Sequence, residues 1–287
     1  MIERTEYPAG VPCWVDSGQP DPLAAAEFYG GLLGWEMAET MPPGAPGHYI
    51  VARLDGREVA AVGSLPAAVP QVPAWNTYVR VESADETAAK AREAGGSVLM
   101  EPFDVFEAGR MAVLADPSAA AFCIWQPRQM IGARVVNEPS SWNWSDLRSD
   151  DPEAATAFYG AVFGWQAVEL DVGPGTATLL QMPGYGDFLE RTVDPEIRKR
   201  QEGGGAPPGF EDAIGWLVPL ERSSTPDAAP HWHVTFAVDD ADATAARAAK
   251  LGGEVVSSPT DMPWVRIAVL RDPQGATFTI SKFQPPQ

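Results

Sequence analysis

Side chains able to move a proton near neutral pH are scarce in this chain. Its 287 residues hold three histidines (His48, His231, His233) and two cysteines (Cys13, Cys123). The stretch SSWNWSDL (140–147) places Trp142, Trp144 and Asp146 on alternate positions, so an extended strand would set all three on one face. Such a face is a buried core, a metal site or the wall of a binding pocket. His233 sits in a second alternating run, HWHVTFAV. A carboxylate that orients an imidazole makes a general base near neutral pH, so Asp146 and His233 form the candidate catalytic pair. The competing reading is a hydrogen-bonded polar cluster with no chemistry.

The elements that would position these residues emerge from internal similarity. WVDSGQPDPLAAAEFYGGLLGW (14–35) matches WSDLRSDDPEAATAFYGAVFGW (144–165) at constant offset. It pairs Trp14 with Trp144, Asp16 with Asp146, Phe28-Tyr29 with Phe158-Tyr159 and Gly34-Trp35 with Gly164-Trp165. AWNTYVRVESADETAAKAREAGGSV (74–98) matches HWHVTFAVDDADATAARAAKLGGEV (231–255), and VLADPSAAAFCIW (113–125) matches VLRDPQGATFTIS (269–281). The chain is a duplicated domain, and each half splits again into two units of strand, helix and further strands.

Local signals support this division. Asp21 and Asp151 suit helix caps, Pro22 and Pro152 the first helical turn, and Gly34 and Gly164 a left-handed exit. Ala25, Phe28, Leu32 and Leu33, matched by Ala155, Phe158, Val162 and Phe163, form one buried helical stripe. Asp85 and Asp242 begin further helices that stop at Gly95-Gly96 and Gly252-Gly253. Runs such as HYIVARLDGREVAAVGSLP read as hairpins, with turns at Asp55-Gly56 and Pro273-Gln274-Gly275. The expected class is α+β, with four β-α-β-β-β units at 10–68, 73–128, 140–222 and 229–284. They make two tandem domains, 1–128 and 140–287, joined by a linker at 129–139. Residues 184–215 have no counterpart in the first half and read as a long loop with one helical turn around Pro195 to Gln201, either a lid or a connector.

Bulk composition narrows the partners. A net charge of −19 opposes capture of nucleic acid or of an anionic membrane. No run of about 18 apolar residues exists, and MIERTEYPAG lacks the apolar core of a secretory signal, so a cytoplasmic location is expected. Two cysteines fit a reducing compartment.

The order W-x-D, DP-x-x-A, FY, GW, then A-D with GG, then DP-x-x-A-x-F resembles the vicinal oxygen chelate superfamily. That superfamily includes glyoxalase I, bleomycin resistance proteins and extradiol dioxygenases, and the resemblance is nearest to its two-domain bacterial subgroup often labelled hydroxylase. It implies two tandem glyoxalase-like domains with curved mixed sheets, outer helices and a cavity within. On that frame, alternation turns Val79, Val81, Phe122, Ile124, Val234, Phe236, Val238, Phe278 and Ile280 toward the helices. Their neighbours then face the cavities. The first half offers Trp14, Asp16, Asn76, Tyr78, Arg80, Cys123 and Trp125; the second offers Trp142, Trp144, Asp146, His233, Thr235, Thr279 and Ser281.

Metal-using members of the superfamily take a histidine from a unit's first strand and a carboxylate from its last. The corresponding residues here are Trp14, Asn76, Trp144 and His233, then Cys123 and Thr279, while VAAVGS and IGWLVP supply no carboxylate. One imidazole beside Asp146 falls short of three protein ligands, so neither a metal nor a cofactor is expected. Cys123 reads as a small buried hydrophobe rather than a nucleophile. His231 precedes its strand and faces outward or caps it, and His48 has no assigned place. In the first half Asn76 replaces the imidazole, so that cavity is structural or binds a charged ligand end.

Ten tryptophans, several on the cavity side, suit a planar and largely apolar small molecule. The expected function is a metal-independent enzyme, a lyase, isomerase or hydroxylase-like tailoring enzyme. It would act on an aromatic or polyketide-like compound of natural-product metabolism, as a monomer or homodimer. The alternatives are a protein that sequesters a drug or metabolite, of the bleomycin resistance type, and an interaction protein whose cavity is filled.

Overall fold

The computed structural model describes residues 3–65, 72–171, 176–220 and 228–284. The expected unit ends at 66–68 and 221–222, with residues 1, 2 and 285–287, lie outside the described residues. The first half forms an eight-stranded sheet from β1 (Pro12–Gln19), β2 (Glu36–Glu39), β3 (Tyr49–Leu54), β4 (Arg57–Ser64), β5 (Ala74–Arg80), β6 (Ser97–Val105), β7 (Gly109–Ala115) and β8 (Ala121–Pro127). Their spatial order is β2-β3-β4-β1-β5-β8-β7-β6. The second half repeats it with β9 (Trp142–Ser149), β10 (Gln166–Asp171), β11 (Thr176–Gln181), β12 (Ala213–Pro219), β13 (His231–Ala237), β14 (Glu254–Met262), β15 (Val265–Arg271) and β16 (Thr277–Phe283). In each sheet the first strands of the two units pair antiparallel, and each also pairs in parallel with the last strand of its own unit.

Four helices cover one face of the sheets: α1 (Pro22–Leu33), α2 (Ala84–Glu93), α3 (Pro152–Phe163) and α6 (Ala241–Lys250). Asp21 and Asp151 accept hydrogen bonds from the N–H groups of Ala24 and Ala154, and Gly34 and Gly164 end their helices at φ 73 and 79°. Helices α2 and α6 are capped by Ser83 and Asp240, two residues ahead of the aspartates that the sequence suggested. At the Asp55-Gly56 turn both residues have positive φ, as a tight two-residue hairpin requires.

The helix-bearing faces of the two halves meet, and the duplicated motif assembles there. Tyr29 donates to Asp272 Oδ2 at 2.9 Å and accepts from Trp75 Nε1 at 3.0 Å. Its counterpart Tyr159 donates to Asp116 Oδ2 at 3.4 Å and accepts from Trp232 Nε1 at 2.9 Å. The other carboxylate oxygen of each aspartate closes its own turn through backbone N–H groups, Ser118 and Ala120 for Asp116, and Gln274, Gly275 and Ala276 for Asp272. Trp35 and Trp165 each donate across the junction, to the carbonyls of Ser140 and Gly10. Gly96 and Gly253 admit the rings of Phe158 and Phe28, which a Cβ would meet at 2.6 and 3.0 Å. Thr77 Oγ1 donates to Ser145 Oγ across the middle of the junction at 2.9 Å.

Residues 184–215 are more ordered than the sequence suggested. They contain α4 (Tyr185–Thr192), α5 (Ile197–Gly203) and a 3-10 turn at Phe210–Asp212. The Asp212 carboxylate receives the backbone N–H of Gly186 at 2.6 Å at the start of α4. Arg198 bridges Asp187, Glu190 and Glu211, while Tyr185, Leu189 and Ile197 are buried. Arg4 lies between the rings of Tyr7 and Tyr185, at 5.7 and 5.9 Å from their centroids, and ties this segment to the first half.

Candidate active site

The face opposite the helices carries the expected site residues, and the two halves use it differently. In the first half, β1 and β5 put Asp16 opposite Asn76 and Trp14 opposite Tyr78. Asp16 is buried and accepts three hydrogen bonds: from Asn76 Nδ2 at 2.9 Å, Tyr78 OH at 2.6 Å and Tyr49 OH at 3.1 Å. Burial pushes its carboxyl up, and those three donors pull against the shift. Trp14 Nε1 donates to Tyr49 OH, and Trp125 Nε1 to the carbonyl of Met130 in the linker. The Arg80 guanidinium pairs with Glu82, while its buried Nε has no hydrogen-bond partner. Cys123 is buried beside Tyr78, where desolvation drives its thiol far up, so it stays protonated. Trp14, Asp16, Tyr78, Cys123 and Trp125 are thus packed and paired, leaving Asn76 and Arg80 half-buried at the margin.

In the second half the same scaffold leaves the equivalent aspartate without those donors. Asp146 lies opposite His233 and Trp144 opposite Thr235, but the side chains of Asp146 and His233 make no hydrogen bond to each other. The registers show why Asp146 lacks the company of Asp16. His233 stands for Asn76, Thr235 for Tyr78 and, by the pairing of β11 with β12, Ala177 for Tyr49. His233 Nε2 turns to Thr279 Oγ1 at 2.8 Å instead. Asp146 Oδ1, Trp144 Nε1 and Arg148 Nε are screened from water and have no hydrogen-bond partner of normal geometry.

Desolvation raises the Asp146 carboxyl to about 7, against the pull of Arg148 and of the nearby Trp216 backbone and Trp144 indole N–H groups. His233 moves the other way, to about 3, through burial and the charges of Arg148 and His231. The imidazole is therefore neutral at physiological pH. Of the two, the carboxyl is the group with a pKa near neutral.

The aromatic wall also differs from expectation. Trp142 does not share a face with Trp144. A bulge sets Trp142 opposite Phe236 while Trp144 stays opposite Thr235. This turns Trp142 to the helix side, where its Nε1 donates to Ser145 Oγ and to the Trp144 carbonyl. The wall is built instead from Trp144, Phe210 and Trp216. Trp144 stacks on Phe210 with centroids 6.0 Å apart and planes within 4°, and lies 6.0 Å from Trp216. His231 opens β13 on the same face as His233, with the two rings 6.1 Å apart, rather than facing outward. Thr235, Thr279 and Ser281 are buried on that face. His48 lies on the far edge of the first half against Glu39. A separate groove of about 610 Å³ runs between α1 and the β2–β3 edge, beside Leu23, Trp35 and Met37, away from Asp146.

Arg148, Trp216 and Phe210 were missed in the sequence. Arg148 continues the alternation of Trp144 and Asp146 by one step, which is signal enough. Trp216 needed the register of β12 on β9, and Phe210 needed the fold of the inserted segment.

The family model for the glyoxalase-like domain matches twice, over residues 14–125 and 144–281. The chain belongs to the glyoxalase-like domain family. The two copies coincide with the two sheets. Among curated relatives, the "Putative glyoxylase CFP32" of Mycobacterium bovis is 40% identical over 290 residues, covering 100% of both chains. The anthracycline biosynthesis protein DnrV of Streptomyces peucetius is 37% identical over 96% of this chain and 94% of its own. The fold matches the Mn(II)-bound glyoxalase of Novosphingobium aromaticivorans with a TM-score of 0.61 at 14% identity, over 98% of this chain and 83% of that one. It also matches the 2,3-dioxygenase LapB of Pseudomonas sp. KL28, with a TM-score of 0.60 at 11% identity over 97% and 95%. This is the fold of the vicinal oxygen chelate enzymes and the extradiol dioxygenases.

Among the described residues, the donor set around His233 and Asp146 does not fit a bound divalent ion. Among the described residues no three His, Cys, Asp or Glu side chains converge, and His233 meets a threonine hydroxyl where a carboxylate would be needed. No helix among the described residues is long and apolar enough to cross a membrane.

Proposed function

We propose that the second glyoxalase-like domain is the active site of a metal-independent enzyme of natural-product metabolism, acting on a planar aromatic, polyketide-like small molecule by proton transfer at Asp146. The observation that carries this reading is the Asp146 carboxyl. It is raised to about 7, has an unpartnered oxygen, and stands beside the stacked rings of Trp144 and Phe210. A carboxyl with that affinity for protons serves as general acid or base at physiological pH. His233, neutral and fixed by Thr279, orients a polar group of the ligand through its free ring nitrogen. The relation to DnrV supports the substrate class.

The test is to incubate the protein with a panel of hydroxylated polycyclic aromatic compounds and follow each by mass spectrometry. A compound transformed by the wild type should be turned over about 10²- to 10⁴-fold more slowly by Asp146→Asn, with ligand affinity retained. Asp16→Asn should leave turnover within about twofold of wild type. Binding with full recovery of unaltered ligand would replace this reading with the sequestering one.

A further inference from the structure

Resting on the reading of the second half as an aromatic-ligand site, we propose that Arg148 is its oxyanion subsite and holds an ionised oxygen of the ligand (phenolate, enolate or carboxylate) while the aromatic rings stack on Trp144. Three observations point there. Arg148 follows Trp144 and Asp146 at two-residue steps on β9, so the three side chains leave one face of one strand. From Trp144 to Arg148 the strand rises about 13 Å, longer than a single benzene ring and suited to a fused-ring ligand lying along it. All three present an unpartnered polar atom on this line: an indole N–H, a carboxyl oxygen and a guanidinium N–H.

The first half supplies the control. The residue equivalent to Arg148 is Gly18, and Leu65 fills the space a side chain would need, 2.6 Å from the position of a Cβ. The duplicated scaffold therefore does not require a cation at this position. Nor is Arg148 a partner for Asp146, since no ion pair joins them, and a carboxyl that keeps its proton up to about pH 7 leaves the cation uncompensated. A guanidinium with free N–H groups beside a protonated carboxyl is suited to an anionic oxygen, which both can hydrogen-bond. The net charge of −19 does not prevent this. Surface charges beyond about 8–10 Å are screened at physiological salt, whereas Arg148 acts at contact distance.

The experiment measures binding of 2-naphthoate and of its neutral isostere 2-naphthamide by calorimetry at pH 6.0, where the Asp146 carboxyl holds its proton and naphthoate is ionised. The proteins are the wild type, Arg148→Met, Arg148→Lys and Trp144→Ala, with thermal melts to verify folding. The wild type should prefer naphthoate at least tenfold. The preference should vanish in Arg148→Met through loss of naphthoate affinity alone, persist in part in Arg148→Lys, and give way to weak binding of both probes in Trp144→Ala. Equal affinities in the wild type, or a preference retained in Arg148→Met, overturn the subsite while leaving the aromatic site standing. If neither probe binds the wild type, the aromatic-site reading falls and takes the subsite with it. The wild-type comparison decides the matter even if Arg148→Met does not fold.

Discussion

Asp16 and Asp146 occupy the same place in duplicated strands, yet one is surrounded by donors and the other is left without them. Asp16 receives Asn76, Tyr49 and Tyr78; Asp146 faces His233, Ala177 and Thr235 in the equivalent positions. The surroundings, not the carboxylate, set how tightly each holds its proton. A buried acid with its hydrogen bonds satisfied fixes its neighbours, while one with an orphaned oxygen holds its proton to higher pH and is available to a ligand. Duplication kept the strands and exchanged the side chains around one position, supplying donors to the carboxylate in one half and leaving an oxygen unpartnered in the other.

The contrast is tested most severely by removing the first carboxylate. Asp16→Ala leaves three donors, buried Tyr78 and half-buried Tyr49 and Asn76, without an acceptor and should cost about 3 kcal/mol of unfolding free energy, whereas Asp146→Ala should cost less than about 1 kcal/mol at pH 7.5. Urea denaturation of both variants provides the comparison, and equal losses would break it.

A smaller effect is expected from pH. Folding raises the Asp146 pKa to about 7, so the folded state holds that proton more tightly than the unfolded chain does. Its stabilising contribution is fully present below about pH 4 and is lost as pH rises through about 7. Asp146→Asn should therefore gain on the wild type by on the order of 2 kcal/mol between pH 4 and pH 8. His233 acts oppositely: with its pKa lowered to about 3, it favours the folded state above about pH 6.5 and loses that contribution as the solution is acidified toward pH 3. The smallest effect belongs to the aromatic wall. Phe210→Ala removes the ring stacked on Trp144 and should reduce stability by about 1 kcal/mol while changing tryptophan fluorescence.

The architecture was legible because the repeat is carried by residues with one structural job. The Phe-Tyr, Gly-Trp, Gly-Gly and Asp-Pro signatures all meet at the junction between halves, where each fills a place its copy also fills. Asp146, His233, Thr235 and Thr279 came from strict alternation, which the strands obey there. Alternation failed at Trp142 because a single bulge reverses the face of every residue before it. The insertion was misread because its helix α4 is completed by Asp212, a partner 26 residues away from the Gly186 N–H it receives. The proton affinities of Asp146 and His233 depend on burial and on Arg148, neither of which is a property of the pair's spacing.

The hydrogen bonds of Tyr29 to Asp272 and of Tyr159 to Asp116 bear on how the two copies mature as one molecule. Each tyrosine completes its bonding only when the opposite copy has closed its Asp-Pro turn, and each Gly-Gly corner receives a ring from the other copy. Neither half owns a finished core. Each copy seals its interior against the other, so the Tyr-Asp bonds and the ring-filled corners form only when both halves are in place.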